Sequence, residues 1–421
     1  MSWTPKIAII GAGPAGLMLA RLLLQKSIPV TIFEREQSAT FRSQGGTLDL
    51  HKNSGLYAMK EAGLFAQFLK HARYEGDDLI MADKTAVPVL DFRKDGYMGG
   101  ERRPEIDREV LRRMLLESIP AECIQWDHCL IAADPDGCLE FQSGKIQGPF
   151  DLVIGADGGR SRVRPLLTDV RPLYSGIAGF EFKIADVESR FPHIAKFVGR
   201  GSYFCWSDGK AIQAQRLGDK GMRVYAWSKK PETWAIDLHA RYPSTAELKK
   251  VFLQEYPDWS PILREWIEVA DEDRRPWTLY MMPTDFQWAH RPGFTLIGDA
   301  AHLMTPFSGE GVNAAFLDAV ELANRIASSL GSGRGGSREK LDAAVAAYEA
   351  ALFPRAQATM EDTADNMRLF FRADAPLGFV VKCQQVMQKR KQTTTSKKQQ
   401  PQLHQREIQQ REIQQRELNG H

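Results

Sequence analysis

The stretch that decides the fold is IAIIGAGPAGLMLARLLLQKSIPVTIFE, residues 7–34. Lys6 to Ile10 is a short apolar run, the pattern of a parallel strand buried on both faces. Gly11, Gly13 and Gly16 form a Gly-x-Gly-x-x-Gly turn, Leu17 to Gln25 reads as a helix, and Val30 to Phe33 returns as a second strand. That is one βαβ unit, the context in which this glycine pattern binds a dinucleotide. The glycines let backbone approach a pyrophosphate, and the helix points its positive end at the anion. Glu34 ends the second strand, where a carboxylate accepts from adenosine ribose hydroxyls. An acid there repels the 2′-phosphate of NADP, which argues against NADP as the ligand of this turn.

Two more strand-then-turn patterns follow. Asp151 to Ile154 leads into Asp157-Gly158-Gly159-Arg160-Ser161-x-Val163-Arg164, a carboxylate and several basic groups suited to ordering phosphate or ribose. Alone, this segment reads equally well as a glycine turn with an Asp cap before a helix. Phe294 to Ile297 leads into Gly298-Asp299-Ala300-Ala301-His302 and on through Pro306-Phe307-Ser308-Gly309-Glu310-Gly311-Val312-Asn313. Small residues permit close contact with a polyol chain, and Asp299 can accept from its hydroxyls. The helix opening at Gly311 is placed to stabilise negative charge on a reduced isoalloxazine. In this order the three motifs describe a pocket for FAD, which carries redox chemistry that side chains cannot. His302 reads as structural, because the sequence shows no partner for it.

The chain has 421 residues, 43% hydrophobic and 26% charged, enough for a large core in two packed domains. A net charge of +2 argues for neither nucleic acid nor an anionic membrane. No secretory signal is visible, and the greasiest segment, Leu17 to Leu24, is short and contains Arg21. The five cysteines have no C-x-x-C spacing, so free thiols, no metal and a cytoplasmic location are expected.

The expected fold class is α/β: a Rossmann-like FAD-binding domain, an interleaved antiparallel-sheet substrate domain and a C-terminal helix. The FAD-binding part is expected over residues 1–75, 100–171 and 276–330, and the substrate part over 76–99 and 172–275. Runs such as Tyr203 to Trp206 and Arg223 to Trp227 alternate and are aromatic-rich, as in an antiparallel sheet. Asp107 is the expected N-cap of a helix through Ser118. Ser244-x-x-Glu247 is a capping box, and Ser260-Pro261 opens another helix. Gly311 to Leu330 is a helix, Gly331 to Gly336 a flexible break, and Lys340 to Phe371 a long helix kinked near Pro354, within a C-terminal helical unit at 338–382. Residues 383–421 read as a solvated low-complexity tail, where a Gln-Arg-Glu-Ile-Gln repeat of period five forms no helical seam. No G-x-S-x-G, Walker or H-E-x-x-H motif occurs, and no second dinucleotide fingerprint. If a nicotinamide donates the electrons, it must therefore dock transiently on the flavin domain.

On these motifs the chain resembles the class A flavoprotein monooxygenases, the para-hydroxybenzoate hydroxylase-like group, over about residues 5–375. It looks closest to the tetracycline-inactivating members. Gly45-Gly46-Thr47-Leu48-Asp49-Leu50-His51-Lys52, Pro104-Glu105-Ile106-Asp107-Arg108 and Gly298 to Asn313 carry the similarity. The resemblance implies that Glu34 and Arg35 hold the adenosine end, that Asp49 and Arg108 contact the flavin, and that Arg42 engages the nicotinamide donor. It also implies that Asp157 and Gly158 serve flavin and reduced nicotinamide, that Asp299 binds the ribityl or pyrophosphate region, and that Pro306 to Gly311 line the ring.

Phe180 to Lys183 and Gly201 to Ala211 depart from the drug-binding pattern. The implied reaction is hydroxylation of an aromatic or polyketide-like molecule: NAD(P)H reduces the flavin, oxygen adds at C4a, and the hydroperoxide delivers oxygen to an electron-rich carbon. No protein residue is assigned as catalytic. Phe180, Phe204, Trp206, Tyr225 and Trp227 are candidates for an aromatic wall or for ordinary sheet core. A flavin oxidase or dehydrogenase of the same fold is the alternative, as is a non-catalytic redox sensor. The expected assembly is a monomer or weak homodimer.

Overall fold

A computed structural model describes residues 3–40, 45–93, 102–331 and 336–388. Strands Phe294–Leu296, Leu152–Gly155, Ile7–Ile10, Val30–Phe33 and Ile124–Gln125 pair in that order into an all-parallel sheet. Nearly every residue of its three central strands is buried, which is why they read as unbroken apolar runs. Helix Pro14–Gln25 packs between helices Gly311–Leu330 and Arg108–Glu117 over this sheet. It begins three residues before the expected Leu17, with Pro14 at the first helical position, where a missing N–H costs nothing.

A second sheet has seven strands, in the order Arg274–Met281, Leu173–Ile184, Met222–Lys229, Lys210–Arg216, Ser202–Ser207, Leu79–Ala82, Pro88–Asp91. All its pairs are antiparallel except Ser202–Ser207 with Leu79–Ala82. Strand alternation sends Ala178, Phe180, Phe182 and Ile184 to one face, which packs with residues of helices Pro192–Val198, Thr245–Phe252 and Pro261–Glu268. Phe180 is thus not part of an aromatic wall on the site side; its ring meets Phe252 at 5.2 Å in the core behind the sheet. The opposite face carries Ile177, Trp206, Trp227 and Met81 and packs with Phe307, Phe370 and Phe379.

A two-stranded ribbon pairs Thr47–Asp49 with Glu105–Asp107 beside these sheets. Asp107 occupies the N-cap position of helix Arg108–Glu117 but its side chain does not cap it. The carboxylate is drawn instead to the Gly218 N–H at 3.0 Å and to Arg73 at 2.7 Å. Ser244 does cap its helix through the Glu247 N–H, whereas Ser260 makes no side-chain cap. Helix Arg338–Phe370 runs unbroken through Pro354. Residues 377–388 are helical as well, and Cys383 is fully buried among them, so ordered chain extends past the expected start of the tail. Residues 389–421 lie outside the described residues. The five cysteines are unpaired.

Candidate functional site

The three turn motifs meet at the C-terminal edge of the parallel sheet. Ile10 pairs with Gly155 and with Phe33, and Gly155 pairs with Leu296, so the chain leaves all four strands at one level. That edge is where open α/β sheets bind nucleotides. A Cβ on Gly11 would lie 2.5 Å from the Ala156 carbonyl oxygen, and one on Gly16 would collide with the Gly11 carbonyl oxygen. Both positions therefore need glycine for close packing. A Cβ on Gly13, Gly158 or Gly311 would meet nothing within 4 Å, so open space lies in front of these turns.

Glu34 is buried, and its two oxygens accept from the Ala12 N–H at 2.7 Å and the Glu36 N–H at 2.9 Å. The carboxylate thus holds the glycine turn, a task the sequence did not reveal, and keeps lone pairs for another donor. Arg35 and Arg108 are exposed at the ends of their elements, and Arg42 lies outside the described residues. Asp157 accepts from the Arg162 N–H at 2.6 Å through Oδ2, while Oδ1 is buried without a hydrogen-bond partner. Burial pushes this carboxyl up from its ordinary value. Asp299 is exposed directly after Gly298, whose φ of +60° suits glycine.

Arg164 does not face a phosphate. Its guanidinium donates to three backbone carbonyls, of Ala300 at 2.8 Å, Asp299 at 2.9 Å and Gly159 at 3.0 Å, stitching the second turn to the third. His302 is structural, but it has a partner. Its Nε2 lies 2.6 Å from Asp318 Oδ2, which also accepts from the Gly298 N–H at 2.9 Å, and Arg355 pairs with the other oxygen at 2.8 Å. Burial raises the Asp318 carboxyl, but His302 and Arg355 outweigh it and hold it below the usual range.

The loop through Pro306, Gly309 and Gly311 lies between the ribbon and the second sheet. Asn313, fully buried, staples it. Its oxygen accepts from the N–H groups of His51 (2.8 Å) and Gly55 (3.2 Å), and its nitrogen donates to the carbonyls of Asp49 (2.9 Å) and Gly309 (3.2 Å). His51 bridges Asp49 at 2.8 Å and Glu310 at 3.3 Å. Burial pulls its pKa down, but hydrogen bonds to the two carboxylates prevail and carry it up to about 9. Asn313 and His51 stand inside the quoted motifs, yet their partners are invisible without the fold.

Phe307 anchors this loop on the second sheet, edge-on to Trp227 with ring centroids 6.4 Å apart, and Tyr225 stacks beside Trp227 at 5.9 Å. Cross-strand register sets Glu181, Tyr225, Gln213 and Phe204 in one row. Glu181 and Arg223 form a buried ion pair at 3.0 Å, and the Trp277 indole N–H donates to Glu181 at 3.0 Å. Gly45 and Gly46 pass directly over this pair and the Tyr225 hydroxyl, leaving no room for a side chain. Trp206 is sealed off by the stacked ring of Phe370 at 4.2 Å, so it is core. In the ribbon, burial pushes the Glu105 carboxyl up to about 8 against the pull of Arg73.

A family described as FAD binding domain matches residues 4–125 and 144–363. The chain belongs to this family. It is a single-component FAD-dependent monooxygenase, with NAD(P)H as electron donor. The open turns, the unpartnered Asp157 oxygen and the exposed Asp299 carboxylate fit that cofactor. Monooxygenase asqM of Emericella nidulans is 31% identical, with 88% of this chain and 96% of that protein covered. The fold is shared with Klebsiella pneumoniae HpxO complexed with FAD and uric acid, at a TM-score of 0.72 and 20% identity, covering 91% of this chain and 93% of the other. It is also shared with tetracycline destructase Tet(55), at a TM-score of 0.66 and 20% identity, covering 92% and 97%. Among the described residues no helix is long and apolar enough to cross a membrane.

Proposed function

We propose that this monooxygenase hydroxylates an electron-rich aromatic or polyketide-like molecule held between the loop Pro306 to Gly311 and the Tyr225–Trp227 face of the second sheet. Per turnover, one NAD(P)H, one O2 and one proton yield the hydroxylated product, NAD(P)+ and water. FAD, when bound, would supply the redox chemistry, hydride acceptance and oxygen activation, that no side chain provides. In this reading Gly11, Gly13 and Gly16 present backbone to the pyrophosphate, and Glu34 and Arg35 hold the adenosine ribose. Asp157, Gly158, Gly298 and Asp299 follow the ribityl chain, while Asp49, Arg108, Pro306, Gly309 and Gly311 surround the ring. Arg42 keeps the part in engaging the nicotinamide donor that the family resemblance implies. The FAD-binding part is the region of the parallel sheet, the substrate part that of the seven-stranded sheet, and the protein works in the cytoplasm as a monomer or weak homodimer.

The residues' own work is to bind, aim and keep water out. Phe307, Trp227 and Tyr225 give the ring side an apolar wall, and water excluded there strengthens every polar contact within. Asn313 and His51 hold the loop at a fixed distance from Asp49.

The observation that carries this reading is the meeting of three cofactor-type turns at one sheet edge, with an aromatic sheet face across the Phe307 loop. It is tested by screening phenolic polycycles for stimulated NADPH oxidation under labelled O2. One labelled oxygen atom is expected in the product; hydrogen peroxide with an unlabelled, oxidised product would establish an oxidase instead.

A further inference from the structure

The turn that receives the FAD pyrophosphate is held from behind by a residue outside every glycine motif. Arg112, on helix Arg108–Glu117, is only 4% exposed. Its Nε donates to the Ala12 carbonyl at 3.1 Å, its Nη1 to the Ala39 carbonyl at 3.3 Å, and its Nη2 pairs with Glu36 at 2.9 Å, itself 4% exposed. The guanidinium also lies 5.9 Å from the Trp126 ring centroid.

The consequence follows from peptide geometry. In a trans peptide the carbonyl and the next N–H point in opposite directions. The Ala12 carbonyl is drawn inward to Arg112, so the Gly13 N–H is turned outward. That amide has no partner among the described residues, and the side of Gly13 where a Cβ would stand is open for 4 Å. The preceding peptide is fixed as well, because the Ala12 N–H goes to Glu34. Pro14 has no N–H to offer, which makes the Gly13 amide a large share of the donors at this helix start.

We propose that Arg112 is a positioning residue for the cofactor: by holding the Ala12 carbonyl, it aims the Gly13 amide at the FAD pyrophosphate. Glu36 neutralises the guanidinium, so the effect is one of orientation and not of added positive charge. The proposal rests on the reading that this turn binds FAD.

Arg112 and the buried Glu36 form an ion pair, so the two are replaced together as Glu36→Met with Arg112→Met. The full-length protein is freed of FAD, its melting temperature is measured, and FAD is titrated back by the quenching of flavin fluorescence. Bound FAD is also followed by phosphorus NMR. The double variant should melt within a few degrees of the parent, bind FAD at least tenfold more weakly, and shift the pyrophosphate resonances. A folded double variant with parental affinity and parental resonances overturns the proposal. If it does not fold, Arg112→Lys decides: it keeps a cation against Glu36 but cannot span the two carbonyls and the carboxylate together. Lysine should weaken FAD binding with the flavin-free melting temperature unchanged, and parental affinity there overturns the proposal equally. A parent protein that takes up no FAD would defeat the reading of the turn itself, a different outcome from parent and variant binding alike.

Discussion

At the scale of single residues, the glycines were legible and their supports were not. Gly11 and Gly16 answer a local demand, close approach of backbone to backbone, and a local demand leaves a local pattern. Arg112, Arg164 and Asn313 bond to carbonyls 100, 136 and 264 positions away, so nothing near them in sequence announces the task. Asn313→Leu keeps the volume but strands the amides of His51 and Gly55. The expected loss is about 1–3 kcal/mol for each amide that water does not reach, read by urea unfolding and accompanied by weaker FAD retention. His51 gives a pH signature. Its folded pKa of about 9 stands above the ordinary 6.5, so its contribution is complete below pH 6.5 and is lost as pH rises through 9. On the order of 2 kcal/mol is involved once solvent around Asp49 and Glu310 is allowed for. Flavin-free protein should therefore melt lower at pH 9.5 than at pH 6.5, and His51→Gln should flatten that part of the profile. An unchanged slope in the variant would remove His51 from the account.

Among elements, strand and helix positions followed from periodicity, whereas the choice of sheet face did not. Phe180 and Trp227 both sit in alternating aromatic strands, and both faces of the seven-stranded sheet are covered, so alternation cannot say which ring looks toward the site. The loop after Thr305 settles it by seating Phe307 against Trp227, and on the same face the last turn of helix Arg338–Phe370 seats Phe370 on Trp206, the rings 9° from parallel. Phe370→Ala opens a cavity there and should cost about 3–5 kcal/mol. Tryptophan emission should shift to the red and FAD should be held more weakly, because Phe370 also packs edge-on against Phe307 at 6.3 Å in the loop proposed to line the ring. Parental FAD affinity in this variant would mean that the Phe307 loop keeps its place without the Phe370 ring.

For the molecule as a whole, the ordering of motifs in sequence carried the architecture. The late motif at Gly298 returns the chain to the parallel sheet after the entire second sheet has been built, which is why one binding edge draws on such distant segments. Ending the chain after residue 388 should leave turnover unchanged, since Phe379 and Cys383 still cover Trp206 and Phe370. Ending it after residue 376 uncovers that cluster and should lower the yield of folded protein. Helix Arg338–Phe370 has a further consequence. Near its middle, Glu349 accepts from Trp288 and Thr295 and Tyr348 donates to the Leu296 carbonyl; at its far end Phe370 belongs to the other sheet. One rigid rod is thus a shared member of two hydrophobic interiors, and neither can dissolve without releasing it. Scanning calorimetry should record one endotherm whose van't Hoff and measured enthalpies agree; two resolved peaks would mean that the rod yields before either interior does.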